Sequence, residues 1–507
     1  MIKLKLKKLL ISFIDIPDFF LEIPNSNYGD FATNVAFSLA KILKSSPKII
    51  AEKLVESLGE NEVISEIAKV EATNGFLNFT FTNDFLWHEF TLFLDTTIEF
   101  PKINELILLE YVSANPTGPL HIGHGRWAVI GDVLTRLLKF VHADISTEFY
   151  VNDAGNQIQN FNKTIKAIKE NKPIPEDGYH GQYMLDLADS PNPLAEIIEQ
   201  QQNVLSKLDV NFNTWFFEST LYKNNAIHEV LDILAKKKLT YKSEGALWFK
   251  ASEFGDEKDR VLIKNDGANT YFLVDLAYHL NKIKRGFNYL INIWGADHHG
   301  YVPRLEAALN CISPTTIKFK VIIGQLVSLY RDNEPLRMSK RTGEIITLEE
   351  VLQEIGKDAL RFFLVQKNPD QTLDFDLELA KKTSNENPVY YLQYAYARIC
   401  SILGKLGQIK PNDLPELVSL NEAERKIIFK ALQIHDEIYA AAINLAPYRI
   451  ANYLLELVKL FHVFYEQCPI LRADPSEQQK RIIIILQIKK VLGLGFDLLG
   501  ITKIERM

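Results

Sequence analysis

The sequence predicts an α/β protein in three parts: a parallel-sheet domain in the middle, a small α/β module before it and an all-helical last third. Three observations carry this expectation. Residues 107–141 run from an apolar strand through a breaker-rich turn into an amphipathic helix. Two later strand patterns, 145–151 and 288–294, each end in a polar turn, and the C-terminal ends of strands are where parallel sheets bind ligands. Beyond residue 350 strand alternation stops and apolar residues recur at helical spacing.

Bulk properties bound the answer without deciding it. The 507 residues suffice for about three domains, and 47% hydrophobic with 24% charged residues is ordinary globular composition. The three cysteines, Cys311, Cys400 and Cys468, lie far apart. That argues against a disulfide framework or a structural zinc, and for a reducing compartment. No window reaches the roughly 20 uninterrupted apolar residues of a membrane span. The basic, apolar N-terminus has no clean hydrophobic stretch or small-residue cleavage site, so it reads as an amphipathic first helix. A net charge of −7 says little about nucleic-acid partners, which local patches decide.

Taken in order, residues 1–100 form the small module. The turn at 27–34 leads into a helix through Leu39, Ile42 and Leu43, Pro47 starts another helix, and 74–81 alternates as a strand. Lys41, Lys44 and Lys48 give this module a basic face. The next strand, 107–112, holds one acid in an apolar run, Glu110. After it come Ser113, Ala114, Asn115, Pro116, Thr117, Gly118, Pro119, Leu120, His121, Ile122, Gly123 and His124, with the helix opening at the histidines. A strand, a tight loop and a helix N-terminus place backbone N–H groups before a phosphate, and His121 and His124 add side-chain donors there. Gly123 lets a flat ligand lie against bare backbone.

Residues 160–245 read as a charged, helical insertion between the halves of the sheet. The sheet is expected to resume at 245–249 and 260–263, and 270–279 reads as a short strand running into a helix. Tyr271 and Asp275, four apart, share a face if that helix begins early. The turn 295–300 carries Asp297, His298 and His299; adjacent residues seldom chelate one ion, so a metal site is disfavoured. A strand at 317–327 then precedes the basic loop 336–343.

Several of these segments resemble one family. Ser113 through Arg126 resembles the first signature of class I aminoacyl-tRNA synthetases, in the form carried by bacterial arginyl-tRNA synthetases. Arg337-Met338-Ser339-Lys340-Arg341 resembles the second signature, with Arg337 where the family has lysine. Residues 29–34 resemble the family's N-terminal extension, 294–300 its pocket-lining turn, and 356–361 the start of its helical anticodon-binding domain.

The resemblance implies a Rossmann-type parallel-sheet catalytic domain over 101–370 with an insertion at about 160–245. It implies an α/β tRNA-binding module over 1–100 and an all-α anticodon-binding bundle over 371–507. The implied reaction is arginine–tRNA ligation: arginine is activated by ATP, then transferred to the 3′ end of tRNA(Arg), without editing. His121, His124 and Lys340 are the implied catalytic residues. ATP is implied to contact His121, Gly123, His124, Met338, Ser339 and Lys340. Arginine is implied to contact Glu110, Ser113, Asn115, Tyr271, Asp275 and His299. Mg²⁺ is expected to arrive with ATP, no protein-bound metal or zinc is expected, and the implied setting is a cytoplasmic monomer whose arginine activation needs tRNA. Two other readings stay open at this point: another nucleotidyl-transferring enzyme with a His-x-Gly-His loop, and an inactive tRNA-binding homologue. The helical last third counts against the first, and intact His121, His124 and Lys340 against the second.

Overall fold

A computed structural model describes the protein except for residues 15–18, 25–27, 94–97, 333, 337–345 and 407–418 and the side chain of His299. Its centre is a five-stranded sheet built from β1 (Leu106–Glu110), β2 (Asp144–Val151), β3 (Thr214–Phe217), β4 (Tyr289–Gly295) and β5 (Lys318–Gly324). The order is β5-β4-β1-β2-β3, and every pairing is parallel. The chain moves outward from β1 to β3, then returns to the other side of β1 with β4. β1 and β4 therefore flank the point where the winding reverses, and an open parallel sheet leaves its ligand crevice there.

Helix α1 (Ile122–Phe140) follows β1 and is buried on almost every face, from Ile122 and Ala128 to Leu137 and Leu138. An all-round apolar helix is what a site between a sheet and a second helical layer requires. That layer is the C-terminal bundle, Pro388–Leu406, Glu422–Leu432, Ile434–Ile443, Tyr448–Gln467 and Pro475–Leu499, whose apolar faces join the core of the central domain. Its aromatic residues divide between core and surface: Tyr396 and Tyr453 are buried, whereas Tyr391 stacks on His462 with ring centroids 4.9 Å apart nearer the surface.

The N-terminal module has an antiparallel four-stranded sheet, with Phe76–Phe81 between 31–33 and 68–73. Its first helix, Ile2–Phe13, buries Ile2, Leu6 and Leu10 in an i, i+4 stripe, the amphipathic pattern expected of it. The module docks onto the C-terminal bundle through buried Asp30, which receives both Arg425 terminal nitrogens at 2.9 and 2.5 Å. No helix among the described residues is long and apolar enough to cross a membrane.

Four expectations are corrected. Thr214–Phe217 is not part of a helical insertion but the edge strand of the central sheet, too short to stand out among charged helices. The strands at 246–249 and 260–263 do not continue that sheet; with Thr240–Ser243 they form a separate antiparallel one. The cause is a tight hairpin turn, Glu244 at φ 50° and Gly245 at φ 75°, and two consecutive left-handed residues match the strand twist. No strand precedes Tyr271, where helix α3 (Tyr271–Lys284) begins directly after its Thr270 cap. The strand pattern at 317–327 ends with β5 at Gly324, and Val327–Arg331 belongs to a third sheet with 373–376.

Candidate active site

The loop after β1 leaves the sheet through two residues in left-handed backbone, Val112 at φ 68° and Ser113 at φ 41°. A β-branched residue there is strained, and such strain concentrates at functional sites. One consequence is visible: the Ser113 hydroxyl donates to Glu110 Oε1 at 3.0 Å and accepts the Tyr150 N–H at 3.1 Å, tying the ends of β1 and β2 together. Residues 115–118 are then held by the helical segment that follows. Buried Gln201, on α2 (Pro193–Lys207), donates to the carbonyls of Asn115 and Gly118 at 3.3 and 2.9 Å, and the Tyr183 hydroxyl to that of Thr117 at 3.1 Å.

The two histidines cap α1 reciprocally. His121 Nδ1 accepts the Gly123 N–H at 3.1 Å, and His124 Nδ1 accepts the His121 N–H at 3.3 Å. With Nδ1 an acceptor in both, a neutral ring at either position carries its proton on Nε2, the tautomer that can donate to a phosphate oxygen. The rings stack 3.7 Å apart, and a side chain at Gly123 would begin 3.0 Å from the His121 ring. Glycine there makes room for the histidine as well as for any ligand.

A cavity of about 380 Å³ opens between β1 and β4, at the reversal of the sheet. Glu110, Ser113, Asn115, His121 and His124 line one side; Asp275, Asn292, Trp294, Asp297, His298 and Tyr301 line the other. A second cavity of about 300 Å³ adjoins it along Asn115–Pro119, His121 and His124, and is closed by Gly178–Tyr183.

Charge in and behind the cavity wall is unbalanced. Glu110 and Glu148 face each other in register on β1 and β2, and like charges so placed need separate partners. Lys282, at the end of α3, binds Glu110 Oε2 at 2.5 Å; Arg285 binds both oxygens of Glu148, at 2.6 and 2.9 Å. Two other acids have no cation among the described residues. Asp275 accepts the Tyr301 hydroxyl at 2.6 Å. Glu218, just past β3 and behind the cavity-lining Tyr150 rather than in the wall itself, accepts those of Tyr150 at 2.8 Å and Tyr222 at 3.4 Å, and the Asn152 amide at 3.0 Å in the orientation its neighbours require. Burial, then the nearby carboxylates of Glu110 and Glu218, lift Asp275 to about 7 against the Tyr301 hydrogen bond and the Lys282 charge, which lower it. Burial also raises Glu218. Such a wall is built to receive a buried cation with several N–H donors.

The structure thus brings together Glu110, Ser113, Asn115, His121, His124 and Asp275 from the sequence-derived set. Tyr271 is 64% exposed at the first turn of α3 and is not part of the cavity wall. Met338, Ser339, Lys340 and the His299 side chain lie outside the described residues. The sequence did not point to Glu218, Tyr150, Tyr301 or Lys282. Only Glu218 carried a usable signal, as an acid ending a short aromatic run, Trp215-Phe216-Phe217. Among the described residues no cluster of histidine, cysteine or acidic groups is disposed to hold a metal.

A reversing parallel sheet, a His-Ile-Gly-His helix start and a helical C-terminal bundle define a class I aminoacyl-tRNA synthetase. Comparison with known proteins agrees along the chain. The "tRNA synthetases class I (R), catalytic domain" matches residues 95–177 and 186–391, the "Arginyl tRNA synthetase N terminal domain" 1–81, and the "DALR anticodon binding domain" 392–507. The arginine–tRNA ligase of Desulforudis audaxviator is 41% identical and that of Desulforamulus reducens 39%, each over 97% of this chain and 94% of the relative. The arginyl-tRNA synthetase structure from Thermus thermophilus superposes with a TM-score of 0.84 at 20% identity, covering both chains fully. The chain belongs to the arginyl-tRNA synthetase family, and its activity is ATP-dependent ligation of arginine to tRNA.

Proposed function

We propose that the 380 Å³ cavity receives arginine, with Asp275 and Glu218 as acceptors for its guanidinium, and that the adjoining 300 Å³ cavity receives ATP. The observation that carries this is two carboxylates without a cation among the described residues, half-buried Asp275 in the cavity wall and buried Glu218 behind the cavity-lining Tyr150, at the reversal of the sheet and next to the His121–His124 cap. A guanidinium spreads five donors in one plane and stays charged when buried, so it answers two acids together. A neutral or shorter amino acid would leave both unpaired, and unpaired polar groups reject a wrong substrate far more strongly than an apolar wall does.

Arginine so placed would set its carboxylate toward the histidines. Attack by that carboxylate on the α-phosphate forms an oxygen–phosphorus bond, breaks the bond to the β-phosphate and releases pyrophosphate. His121 and His124, each donating from Nε2, would stabilise the negative charge that grows on the phosphate oxygens, and no nucleophile from the protein is needed. Lys340, in the second signature and outside the described residues, is proposed to add a positive charge to the same phosphates. Mg²⁺ would arrive bound to the ATP phosphates. A ribose hydroxyl at the 3′ end of tRNA(Arg) would then attack the arginyl carbonyl and displace AMP. Tyr271, at the exposed start of α3, is read as joining the arginine contacts only when substrate is present. The setting we infer is a monomer in the cytoplasm.

The test is steady-state aminoacylation with Asp275→Asn and Glu218→Gln. Each should raise the KM for arginine by about tenfold or more, at a charge-assisted contact of about 1.5–3 kcal/mol, and leave that for ATP nearly unchanged. An unaltered arginine KM in both variants would assign the pocket elsewhere.

A further inference from the structure

The feature that the reaction as described leaves unused is a fully buried lysine. Lys282 has no exposed surface, and its ammonium sits 2.5 Å from Glu110 Oε2 and 4.2 Å from the centre of the Tyr278 ring. It lies seven residues after Asp275 on α3, with Tyr278 between them, so one stripe of this helix runs behind the cavity. Lysine is among the residues least often buried completely, because its charge loses water and gains little unless it is paired. On the arithmetic of stability alone, a leucine or methionine would serve here at least as well if Glu110 were also apolar. Keeping both charges therefore points to use of the carboxylate.

Glu110 shows what that use is. A carboxylate offers about four acceptor sites. Oε2 takes Lys282 and the Asn292 amide, at 2.5 and 3.2 Å, and Oε1 takes the Ser113 hydroxyl at 3.0 Å. Three donors from three segments, α3, β4 and the strained loop after β1, fix the group in position. One acceptor site is left, on a residue that lines the cavity. One site does not suit a guanidinium, which binds best through two parallel N–H groups, but it does suit a single N–H of the substrate.

We propose that Lys282 is a positioning residue for arginine: it neutralises Glu110 from behind and holds it with one acceptor turned to use by the substrate. This rests on the reading of the 380 Å³ cavity as the arginine site. Lys282 touches no substrate and acts only through Glu110. Neutralisation matters because Asp275 and Glu218 already supply the negative charge that the guanidinium needs. An uncompensated third carboxylate would add repulsion among acids that burial has already made costly.

The experiment is aminoacylation with saturating tRNA, measuring the arginine and ATP KM values separately for Lys282→Met, Lys282→Arg, Glu110→Gln and the double variant Glu110→Gln/Lys282→Met. Lys282→Met should raise the arginine KM about tenfold or more with the ATP KM within about twofold, a split that a general loss of structure does not produce. Lys282→Arg should recover most of that loss, since the charge returns. The double variant should match Glu110→Gln alone, because residues acting in series do not add. Equal rises in both KM values, no recovery with arginine at 282, or multiplied effects in the double variant would overturn the proposal. If Lys282→Met does not fold, the double variant, which leaves no unpaired charge, decides by the same comparison with Glu110→Gln. An unchanged arginine KM in Glu110→Gln would instead remove the reading of the cavity, and this proposal with it. A normal Lys282→Met beside an impaired Glu110→Gln would remove the proposal and leave that reading intact.

Discussion

Buried charge is handled in opposite ways at two places about α1. At the junction of the domains, Arg361, on α4 (Lys357–Val365), donates to the carbonyls of Leu499 and Leu208 at 2.7 and 2.8 Å and to the Asp132 carboxylate. Arg136 completes the set with Asp132 at 2.7 Å, Asp209 at 2.9 Å and the Asp497 carbonyl at 3.0 Å. Four segments meet there: α1, the end of the insertion, α4 and the last helix, α5 (Pro475–Leu499). Each cation is matched. Gly500, at φ 69°, lets the chain pass, since a side chain would sit 2.5 Å from the Arg361 guanidinium. In and behind the cavity wall the books do not balance: Glu110 and Glu148 have cations, while Asp275 in the wall and Glu218 behind Tyr150 have neutral donors only among the described residues. A closed polar network is scaffold, and a network left short of cations is a binding site.

That contrast predicts which variants lose stability and which lose substrate. Arg361→Met should cost the most, about 3–5 kcal/mol, because it takes one of the two cations from Asp132 and leaves the carbonyls of Leu499 and Leu208 without their buried donor. Chemical denaturation should show the midpoint falling, with the arginine KM of the remaining folded enzyme little changed. A folded, stable Arg361→Met with a raised arginine KM would break the distinction.

Asp275→Asn should do the reverse. Arginine affinity should fall by about 1.5–3 kcal/mol, the range of a lost charge-assisted hydrogen bond. The denaturation midpoint should hold or rise, since the change removes a carboxylate that burial and its acidic neighbours disfavour. A clear loss of stability would show that Asp275 belongs to the scaffold.

The same acid gives a smaller, graded effect with pH. Asp275 sits at about 7 in the empty cavity, so below that it holds a proton. A bound guanidinium favours the ionised form and lowers that value, so binding expels the proton when pH is below about 7. Arginine affinity should therefore fall as pH drops through that range, by at most about tenfold per unit for one proton, and level off above it. Titration calorimetry in two buffers of different ionisation enthalpy measures the proton released. Uptake of a proton, or none at pH 6, would contradict the sign.

The smallest effect is expected where the insertion meets the signature loop. Gln201→Leu removes two hydrogen bonds to the carbonyls of Asn115 and Gly118, which water can partly replace because that loop is partly exposed, so the cost should be about 0.5–1.5 kcal/mol. Stability should fall modestly, and kcat should fall more than the arginine KM rises, as the loop beside His121 loosens. Steady-state kinetics beside a denaturation curve reads both.

The same contrast explains what the sequence made legible. The strand, loop and helix from 106 to 140 could be read directly, because local rules all agree there: an apolar run, turn residues and a helix start. Glu110 stood out as the one acid in an apolar run, and Asp275 through its spacing from Tyr271 and the family resemblance. Glu218 did not, because its strand is four residues long and lies among helices that hide it. Lys282 looked like the polar face of a helix end, and only the packing of α3 on the sheet shows that it has no solvent. The hairpin at 240–249 was missed because Glu244 is a rare occupant of left-handed backbone. Partnership between charges is a property of the folded chain, and single-residue patterns do not carry it.

The central claim is that the two carboxylates left without a cation, Asp275 and Glu218, select arginine. Binding of arginine and of citrulline, whose neutral ureido group has nearly the same shape as a guanidinium, measures it most directly. Titration calorimetry on the unaltered protein and on Asp275→Asn/Glu218→Gln gives four affinities. The account predicts strong preference for arginine in the unaltered protein and its collapse to within about tenfold, under 1.4 kcal/mol, in the double variant. Preference for arginine that survives removal of both charges would contradict it.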